Sequence, residues 1–514
     1  MRRRALEGDK ERAGLMRHDE PEGPRRYDAD LRKKTRWSIL WTVVRITSDQ
    51  IFSFVVFVIL ARLLSPHEFG IFVLALAFLE IGRVIAITGM VQNIPRADRL
   101  TPALVDTVFW TNLGMAVFVA LAGLGLAPPI MTLFGQPDGV MPLQALGFVL
   151  PIAALGATHM SLRLREFGHK SLAFRSLIGG TLGGGAAIAA ALAGWGIWSL
   201  VVQRFVTESA NATTAWLSYK YTPGRNFSVE QLRATWLFGF HLTTTQLVGM
   251  LPRRAMDMTL GWIIGPVAVG INRTAWRTTD LILHWAISPF TAVALQTMSR
   301  LQSDSKEMVK AYRWMVTRSA ILTLPAMVGF GVLAPDAVPA VYGHKWVEAG
   351  QLAQILALLA LPYSLSSFGS PLLMALGRGS SLQALALGRL VATVACTVAA
   401  APFGLTVVVL ISVARAYLAL PFQMWFLQRA SGITPRDSLS AIAAPLAASL
   451  IMGAAVWLLM ALIRRYFSTP LAAVFICVAA GMLIYAIAIY VISAQARQMV
   501  GHQLKVLRQK KRKK

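Results

Sequence analysis

Apolar runs of about 20 residues recur along almost the whole length of this chain, and each is long enough to cross the hydrocarbon of a bilayer as a helix. That feature overrides the reading of a 514-residue chain as about three soluble domains. The expected fold is therefore all-α: a polytopic membrane protein of about fourteen transmembrane helices. Composition agrees. Only 14% of residues are charged, where soluble domains carry about 25%, and the mean hydropathy is +0.56.

The net charge of +26 would suit a nucleic-acid partner, but its distribution excludes one. Much of it sits at the two ends, from Arg2, Arg3, Arg4 and Lys10 to Arg32, Lys33 and Lys34, and from Arg508 to Lys514. Basic flanks of membrane spans are held in the cytoplasm and attract anionic lipid headgroups. Residues 1–34 and 496–514 thus read as basic cytoplasmic tails, the first of them polar enough to be disordered. No cleavable signal peptide is expected, because the basic leader is too long and the first apolar run is a full span. Cys396 and Cys477 each lie in an apolar run and form neither a disulfide framework nor a metal-ligand spacing.

The connections give an orientation. Counting from a cytoplasmic N-terminus, the even-numbered ones are basic: Arg96 and Arg99; Arg163, Arg165 and Lys170; Lys220, Arg225 and Arg233; Arg300, Lys306, Lys310 and Arg313; Arg378; Arg429 and Arg436. Odd-numbered ones are short and poor in cations, with Arg62, Lys345 and Arg464-Arg465 as exceptions. The alternation predicts an even number of spans and two cytoplasmic termini.

The chain also repeats itself. Leu60 through Pro66, Gly70 and Ala75 line up with Leu260 through Pro266, Gly270 and Ala275. Phe134-Gly135 echoes Tyr342-Gly343, Leu150-Pro151 echoes Leu361-Pro362, and Gly194-Trp195-Gly196 echoes Pro402-Phe403-Gly404. Six spans separate each feature from its echo, so the copies point the same way. The organisation expected is a parallel repeat of two six-helix lobes, 35–230 and 231–430, followed by an extra helix pair over 431–495.

Ionisable residues inside the spans carry the functional signal, since a mid-bilayer arginine costs about 2.5–3.5 kcal/mol. The first span (37–60) holds Arg45 and Asp49, the second (69–91) Glu80 and Arg83, and the sixth (196–219) Arg204 and Glu208. The seventh (236–263) holds His241, Arg253, Arg254 and Asp257; the eighth (267–298) holds Arg273, Arg277, Asp280 and His284. Arg389 and Arg415 follow in the eleventh and twelfth. A plain structural reading exists: Arg45–Asp49, Arg204–Glu208 and Arg253–Asp257 are four apart, Glu80–Arg83 and Arg277–Asp280 three apart, and such partners share a helix face. Arginines nevertheless outnumber acids. The surplus should line a wet cavity between the lobes, in two tiers, with Arg45 and Arg83 roughly 12 Å from one face and Arg253 and Arg277 roughly 15 Å from the other. A guanidinium grips two phosphate oxygens at once, so a diphosphate headgroup suits this path. Arg45, Arg83, Arg253, Arg254, Arg273 and Arg277 are the candidate diphosphate ligands. Asp49, Glu80, Asp257 and Asp280 are candidates for charge balance or for a coupling ion, and Glu80 and Asp280 are equivalent in the two repeats. No catalytic residue, metal site or cofactor is expected. Carrying two negative charges outward across an inside-negative membrane gains about 4.6 kcal/mol per 100 mV.

At Leu60-Ala61-Arg62-Leu63-Leu64-Ser65-Pro66-His67-Glu68-Phe69-Gly70 the chain resembles bacterial polysaccharide exporters, the O-antigen and capsule or exopolysaccharide flippases of the multidrug/oligosaccharidyl-lipid/polysaccharide exporter superfamily. Asp257, Leu260-Gly261, Gly265, Gly270 and Ala275, then Pro289, Ser299-Arg300-Leu301-Gln302 and Gly343-His344-Lys345-Trp346, fit the same pattern. The resemblance covers roughly residues 35–430. It implies two lobes that alternate access to a cationic cavity and pass undecaprenyl-diphosphate-linked oligosaccharide to the periplasmic leaflet of the bacterial inner membrane, for lipopolysaccharide, capsule or exopolysaccharide synthesis. It also implies a polysaccharide polymerase and chain-length machinery as partners. Two departures stand out: Arg253-Arg254 precede Asp257 where relatives often carry a neutral residue, and Ile271-Asn272 follow Gly270 where a tyrosine is common.

Two other readings compete. An ion-coupled multidrug or small-molecule exporter of the same fold would need an acidic cavity for cationic cargo. A membrane-embedded polymerase or ligase would display a long outer loop with catalytic groups, and no such loop is apparent. The glycines Gly179-Gly180 and Gly183-Gly184-Gly185 lack the Lys-Ser/Thr of a phosphate loop and are expected to permit close helix packing.

Overall fold

The computed structural model describes residues 49–166, 168–464, 470–493 and 497. Among these residues there is no strand, and fourteen helical segments follow one another. They are α1 (49–63), α2 (Pro66–Arg96), α3 (Pro102–Leu133), α4 (Pro137–Arg165), α5 (His169–Leu192), α6 (Trp198–Ser218) and α7 (Val229–Ile263). Then come α8 (Pro266–Arg300), α9 (Ser305–Tyr342), α10 (His344–Ala357 and Ala360–Ala375), α11 (Gly379–Ala400), α12 (Leu405–Ser431), α13 (Pro435–Ile463) and α14 (Pro470–Ile492). Ten of these helices are long and apolar enough to cross a membrane, and the two bent halves of α10 together make an eleventh. The remaining three, α1, α6 and α7, supply polar groups to the ion pairs and cavity described below. Large apolar side chains cover much of the exterior, among them Phe118, Leu217, Leu418, Phe475 and Leu483, as a lipid-facing surface requires.

Helix starts follow local chemistry. The Ser65 hydroxyl accepts from the Glu68 amide, and the Glu68 carboxylate accepts from the Ser65 amide at 2.8 Å, with Pro66 fixing the first turn of α2. Thr434, Pro435 and Asp437 build the same box for α13.

The sequence repeat reappears in the backbone. α3 is capped by Phe134 and α9 ends on Tyr342, and each aromatic is followed by a glycine in the positive-φ region, Gly135 at 65° and Gly343 at 106°. The echoed Leu-Pro pairs mark helix breaks in both halves, at Phe148 in α4 and at Leu358–Leu359 in α10, the latter bending its two halves by 47°. The cause is chemical: Pro151 and Pro362 have no N–H to offer the carbonyl four residues back. In α10 the Leu358 carbonyl is satisfied instead by the Tyr417 hydroxyl of α12 at 2.7 Å.

Equivalent helices of the two repeats meet directly. A Cβ added to Gly70 would strike the Pro266 carbonyl, and one added to Gly270 would strike the Pro66 carbonyl, so α2 and α8 cross at their starts with a reciprocity that only glycine permits. Ala75 and Ala275, the next echoed pair, are both fully buried there. The glycines of α5 act likewise: Gly179 and Gly183 press on Asn211 and Thr207 of α6, and Gly184 on Phe52 and Val56 of α1.

The apolar cores distinguish the two ends of the bundle. At the end where α2, α8 and α10 begin, a single cluster runs from Leu60 and Phe69 through Leu260 and Val269 to Tyr342, Trp346 and Val408. At the opposite end the interior divides. One cluster there gathers Leu283, Met298, Tyr312, Phe368 and Leu427; a separate one gathers Met90, Ile94, Val105 and Leu162. The halves share one core at the joined end; at the split end the cores separate, although α2 and α7 still cross there, where a Cβ added to Gly89 would strike the Gly239 carbonyl.

Candidate functional site

A cavity of about 570 Å³ opens beside α8. Arg273, Arg277, Asp280, His284, Ser288 and Thr291 recur every three or four residues, so one face of α8 lines it from mid-helix toward the split end. Arg253 enters from α7, Gln50 from α1, and Tyr363 and Ser367 from the second half of α10. Pro252 and Pro289 interrupt the hydrogen-bond ladders of α7 and α8 beside this wall.

Of the residues selected from the sequence, Arg253, Arg273, Arg277 and Asp280 meet in the cavity. Arg253 pairs with Asp280 at 2.9 Å and lies over the Trp276 ring. Arg277 donates to the Ser53 hydroxyl of α1 at 2.5 Å, sits over the Phe57 ring, and leaves its Nε without a partner. Arg273 has no ion-pair partner among the described residues. Three guanidiniums thus share the cavity wall with one carboxylate.

The other selected residues lie elsewhere. Arg254 is buried and bridges Glu80 of α2 and Asp257 of its own helix, the latter at 3.3 Å. Arg83 reaches across to Glu208 of α6 at 2.7 Å. Asp49 accepts from the Ser176 hydroxyl at 2.6 Å. Arg45, the basic tails except for Arg497, and Arg465 lie outside the described residues.

These contacts correct the pairing that spacing predicted. Glu80 pairs with Arg254 rather than Arg83, Glu208 with Arg83 rather than Arg204, and Arg253 and Asp280 with each other rather than with Asp257 and Arg277. Partners three or four apart compete with groups on neighbouring helices, and at these crossings the neighbour wins. Glu80 and Asp280, equivalent in the repeat, are each held by one of the adjacent arginines 254 and 253. The departure from the family pattern at Arg253-Arg254 therefore has a consequence: one arginine ties α7 to the first repeat, and the other faces the cavity.

Sequence reasoning passed over Gln50, Ser288, Thr291, Tyr363 and Ser367. The signal for two of them was present, because Ser288 and Thr291 continue the stripe of Arg273, Arg277, Asp280 and His284. Nothing linear joins α1 or α10 to that stripe.

At the joined end a clasp spans the two repeats. Arg62 donates to the carbonyls of Val341 and Ala340 at 2.8 and 2.7 Å, Lys345 donates to the Arg62 carbonyl at 2.9 Å, and the buried Trp346 indole donates to the Ala61 carbonyl at 2.8 Å. Arg62 and Lys345, exceptions to the charge rule of the connections, close the helix ends of the opposite half.

A cationic pocket within a bundle of membrane-crossing helices, between two internal repeats, is the architecture of a multi-pass transporter. Residues 59–351 match the model of a family described as polysaccharide biosynthesis protein, and the chain belongs to that family. It is 28% identical over 353 residues to the succinoglycan biosynthesis transport protein ExoT of Rhizobium meliloti (strain 1021), covering 69% of this chain and 72% of that one. It is 23% identical over 359 residues to the lipopolysaccharide biosynthesis protein WzxC of Escherichia coli (strain K12), covering 68% and 71%. In fold it resembles the lipid II flippase MurJ in an inward closed conformation, with a TM-score of 0.70 at 13% identity, covering 90% of this chain and all of that one. An inward-facing multidrug transporter of the MATE family matches with a TM-score of 0.52 at 16% identity, over 76% and 98%.

Proposed function

We propose that this protein carries lipid-linked oligosaccharide, of the undecaprenyl-diphosphate type, from the cytoplasmic to the periplasmic leaflet by alternating access, and so serves surface polysaccharide synthesis. The observation that carries the reading is the cavity lined by Arg253, Arg273 and Arg277 with Asp280 as the one acid on its wall among the described residues. An anionic headgroup fits that surplus and a cationic drug does not, which favours this cargo over that of an ion-coupled exporter of the same fold. The printed names of the relatives, a succinoglycan transport protein and a lipopolysaccharide biosynthesis protein, support it. They equally favour a carrier over a polymerase or ligase.

Arg273, which forms no ion pair among the described residues, and Arg277, with its open Nε, make the first grip on the diphosphate. Arg253 joins when phosphate displaces Asp280. Arg254, held by Glu80 and Asp257, is a latch between the lobes 35–230 and 231–430 rather than a ligand. Arg83 and Arg45 serve the headgroup's approach. The basic connections assign the split end to the cytoplasm, so the cavity receives cargo from inside while the clasp of Arg62, Lys345 and Trp346 seals the periplasmic end. Both tails and the helix pair 431–495 belong to the inner-membrane arrangement that follows, with the tails on anionic lipid and polymerase and chain-length partners on the periplasmic side.

The test is complementation of a deletion strain with Arg273→Ala and Arg277→Ala. The proposal expects lipid-linked intermediates to accumulate in the inner leaflet, with surface polymer lost and membrane levels of the protein unchanged. Wild-type polymer from both variants would remove the cavity from the transport path.

A further inference from the structure

The cavity is chemically divided along its length. Arg253, Arg273, Arg277 and Asp280 lie at the closed, inner part, and below them toward the split end no Arg, Lys, Asp or Glu lines it. The lining there is polar, Gln50, His284, Ser288, Thr291 and Ser367, and Tyr363 joins it to the level of Arg253 and Asp280. On α8 alone this band begins one turn below Asp280 and reaches Thr291, roughly 21 Å from Arg277 along the helix axis.

The hydrogen-bonding state of the band is the second observation. The side chains of Gln50, His284, Ser288 and Tyr363 have no hydrogen-bond partner among the described residues. Thr291 and Ser367 donate their hydroxyl protons to the Ser288 and Tyr363 carbonyls, at 3.2 and 2.5 Å, and so present only acceptor lone pairs to the cavity. Donors and acceptors are therefore mixed within one wall. Unspent polar groups of both kinds, with no Arg, Lys, Asp or Glu among them, suit a ligand dense in hydroxyls and poor in charge. That is a sugar.

We propose that Gln50, His284, Ser288, Thr291, Tyr363 and Ser367 form the band that reads the first sugars attached to the diphosphate, and that this band sets which glycan is accepted. The inference rests on the diphosphate reading of the arginines, which fixes where the sugar chain begins. The arginines bind what every such cargo shares; the hydroxyl- and amide-bearing band binds what differs between cargoes. A pocket of about 570 Å³ is within the range that ligand sites occupy and holds the headgroup with its proximal sugars rather than a long polymer. A site built to hydrogen-bond hydroxyls discriminates strongly, because the wrong epimer leaves its groups unpaired.

The experiment uses the full-length protein in nanodiscs and geranyl diphosphate, either bare or linked to glucose, galactose or N-acetylglucosamine. Ser288→Ala with Tyr363→Phe removes two unpartnered hydroxyls and preserves shape, and an unchanged unfolding midpoint verifies the fold. The wild type is expected to bind at least one sugar-bearing probe more tightly than the bare diphosphate. The double variant should lose about tenfold of that advantage, with the bare probe unchanged within a factor of two. Equal weakening of both probes, no change in either, or a wild type indifferent to every sugar would overturn the band. Arg277→Ala separates the two readings: it should weaken all probes alike, and if it spares the bare diphosphate the anion site fails while the sugar preference stands on its own.

Discussion

The two ends of the bundle are built from the same repeats and packed in opposite ways. At the joined end, α2 meets α8 through reciprocal glycines, the cores of both halves fuse, and Arg62, Lys345 and Trp346 cap helix ends across the divide. At the split end two separate clusters replace the shared core, the halves keep one crossing at Gly89 of α2 and Gly239 of α7, and α8 turns a polar stripe into the cavity. A protein symmetric in sequence is thus asymmetric across the membrane. The difference teaches where energy is stored: packing and backbone hydrogen bonds hold one end shut, while the middle is held by ion pairs that a passing anion can exchange.

The mid-level pairs should show the largest effect. Arg254→Ala leaves the buried Asp257 and the half-buried Glu80 without their cation, and breaking a buried pair such as Arg254–Asp257 costs about 3–5 kcal/mol. The expected outcome is a large drop in the unfolding midpoint, whereas Arg273→Ala, which breaks no ion pair, should leave it unchanged and abolish transport. Equal stability losses would erase the distinction between latch and ligand.

Next is the crossing at the joined end. Gly270→Ala drives a methyl into the Pro66 carbonyl and should cost about 3 kcal/mol, because the obstacle is backbone. The same change at Gly249, where an added Cβ meets nothing within 4 Å, is the control and should cost nothing. A tolerated Gly270→Ala would mean that the two ends are not packed differently.

Smaller is the clasp. Arg62→Ala removes two charge-assisted bonds at an exposed site, and a shift of about fivefold toward the outward-open population is expected, read by distance distributions between spin labels at the joined end. Smallest are the helix starts. Ser65→Ala and Thr434→Ala each forfeit a capping box worth about 1 kcal/mol. Transport should respond to the first, which lies beside the clasp, and not to the second.

Much of this architecture was legible in the sequence, for reasons particular residues make plain. Apolar length announced the helices. The repeat was readable because its landmarks are residues with one physical role: Gly135 and Gly343 at positive φ, Pro151 and Pro362 at helix breaks, Gly70 and Gly270 where only hydrogen fits. Span boundaries moved wherever polar turns continue a helix past the hydrocarbon, as α9 does from Ser305 where the apolar run starts near 317. The bend of α10 was missed although Pro362 was noted, since one proline does not say which of its neighbours will break.

The site was legible by halves. The stripe on α8 lies on one helix and obeys helical spacing, so Arg273, Arg277 and Asp280 were found together. The ion pairs were not, because Glu80–Arg254 and Arg83–Glu208 join residues 174 and 125 positions apart and no local rule reaches that far. Tyr363 and Ser367 needed the bend of α10 to be seen at all.

The account's central claim is that a cavity open at the split end takes an anion on its unpaired arginines. It is met most directly by the rate at which a membrane-impermeant maleimide modifies Thr291→Cys in a Cys396→Ala, Cys477→Ala background, in right-side-out and inside-out vesicles, with and without inorganic pyrophosphate. The account predicts labelling from the cytoplasmic side, slowed by pyrophosphate, with that protection lost in Arg273→Ala, Arg277→Ala. Labelling from the periplasmic side alone, or a rate indifferent to pyrophosphate, would contradict it.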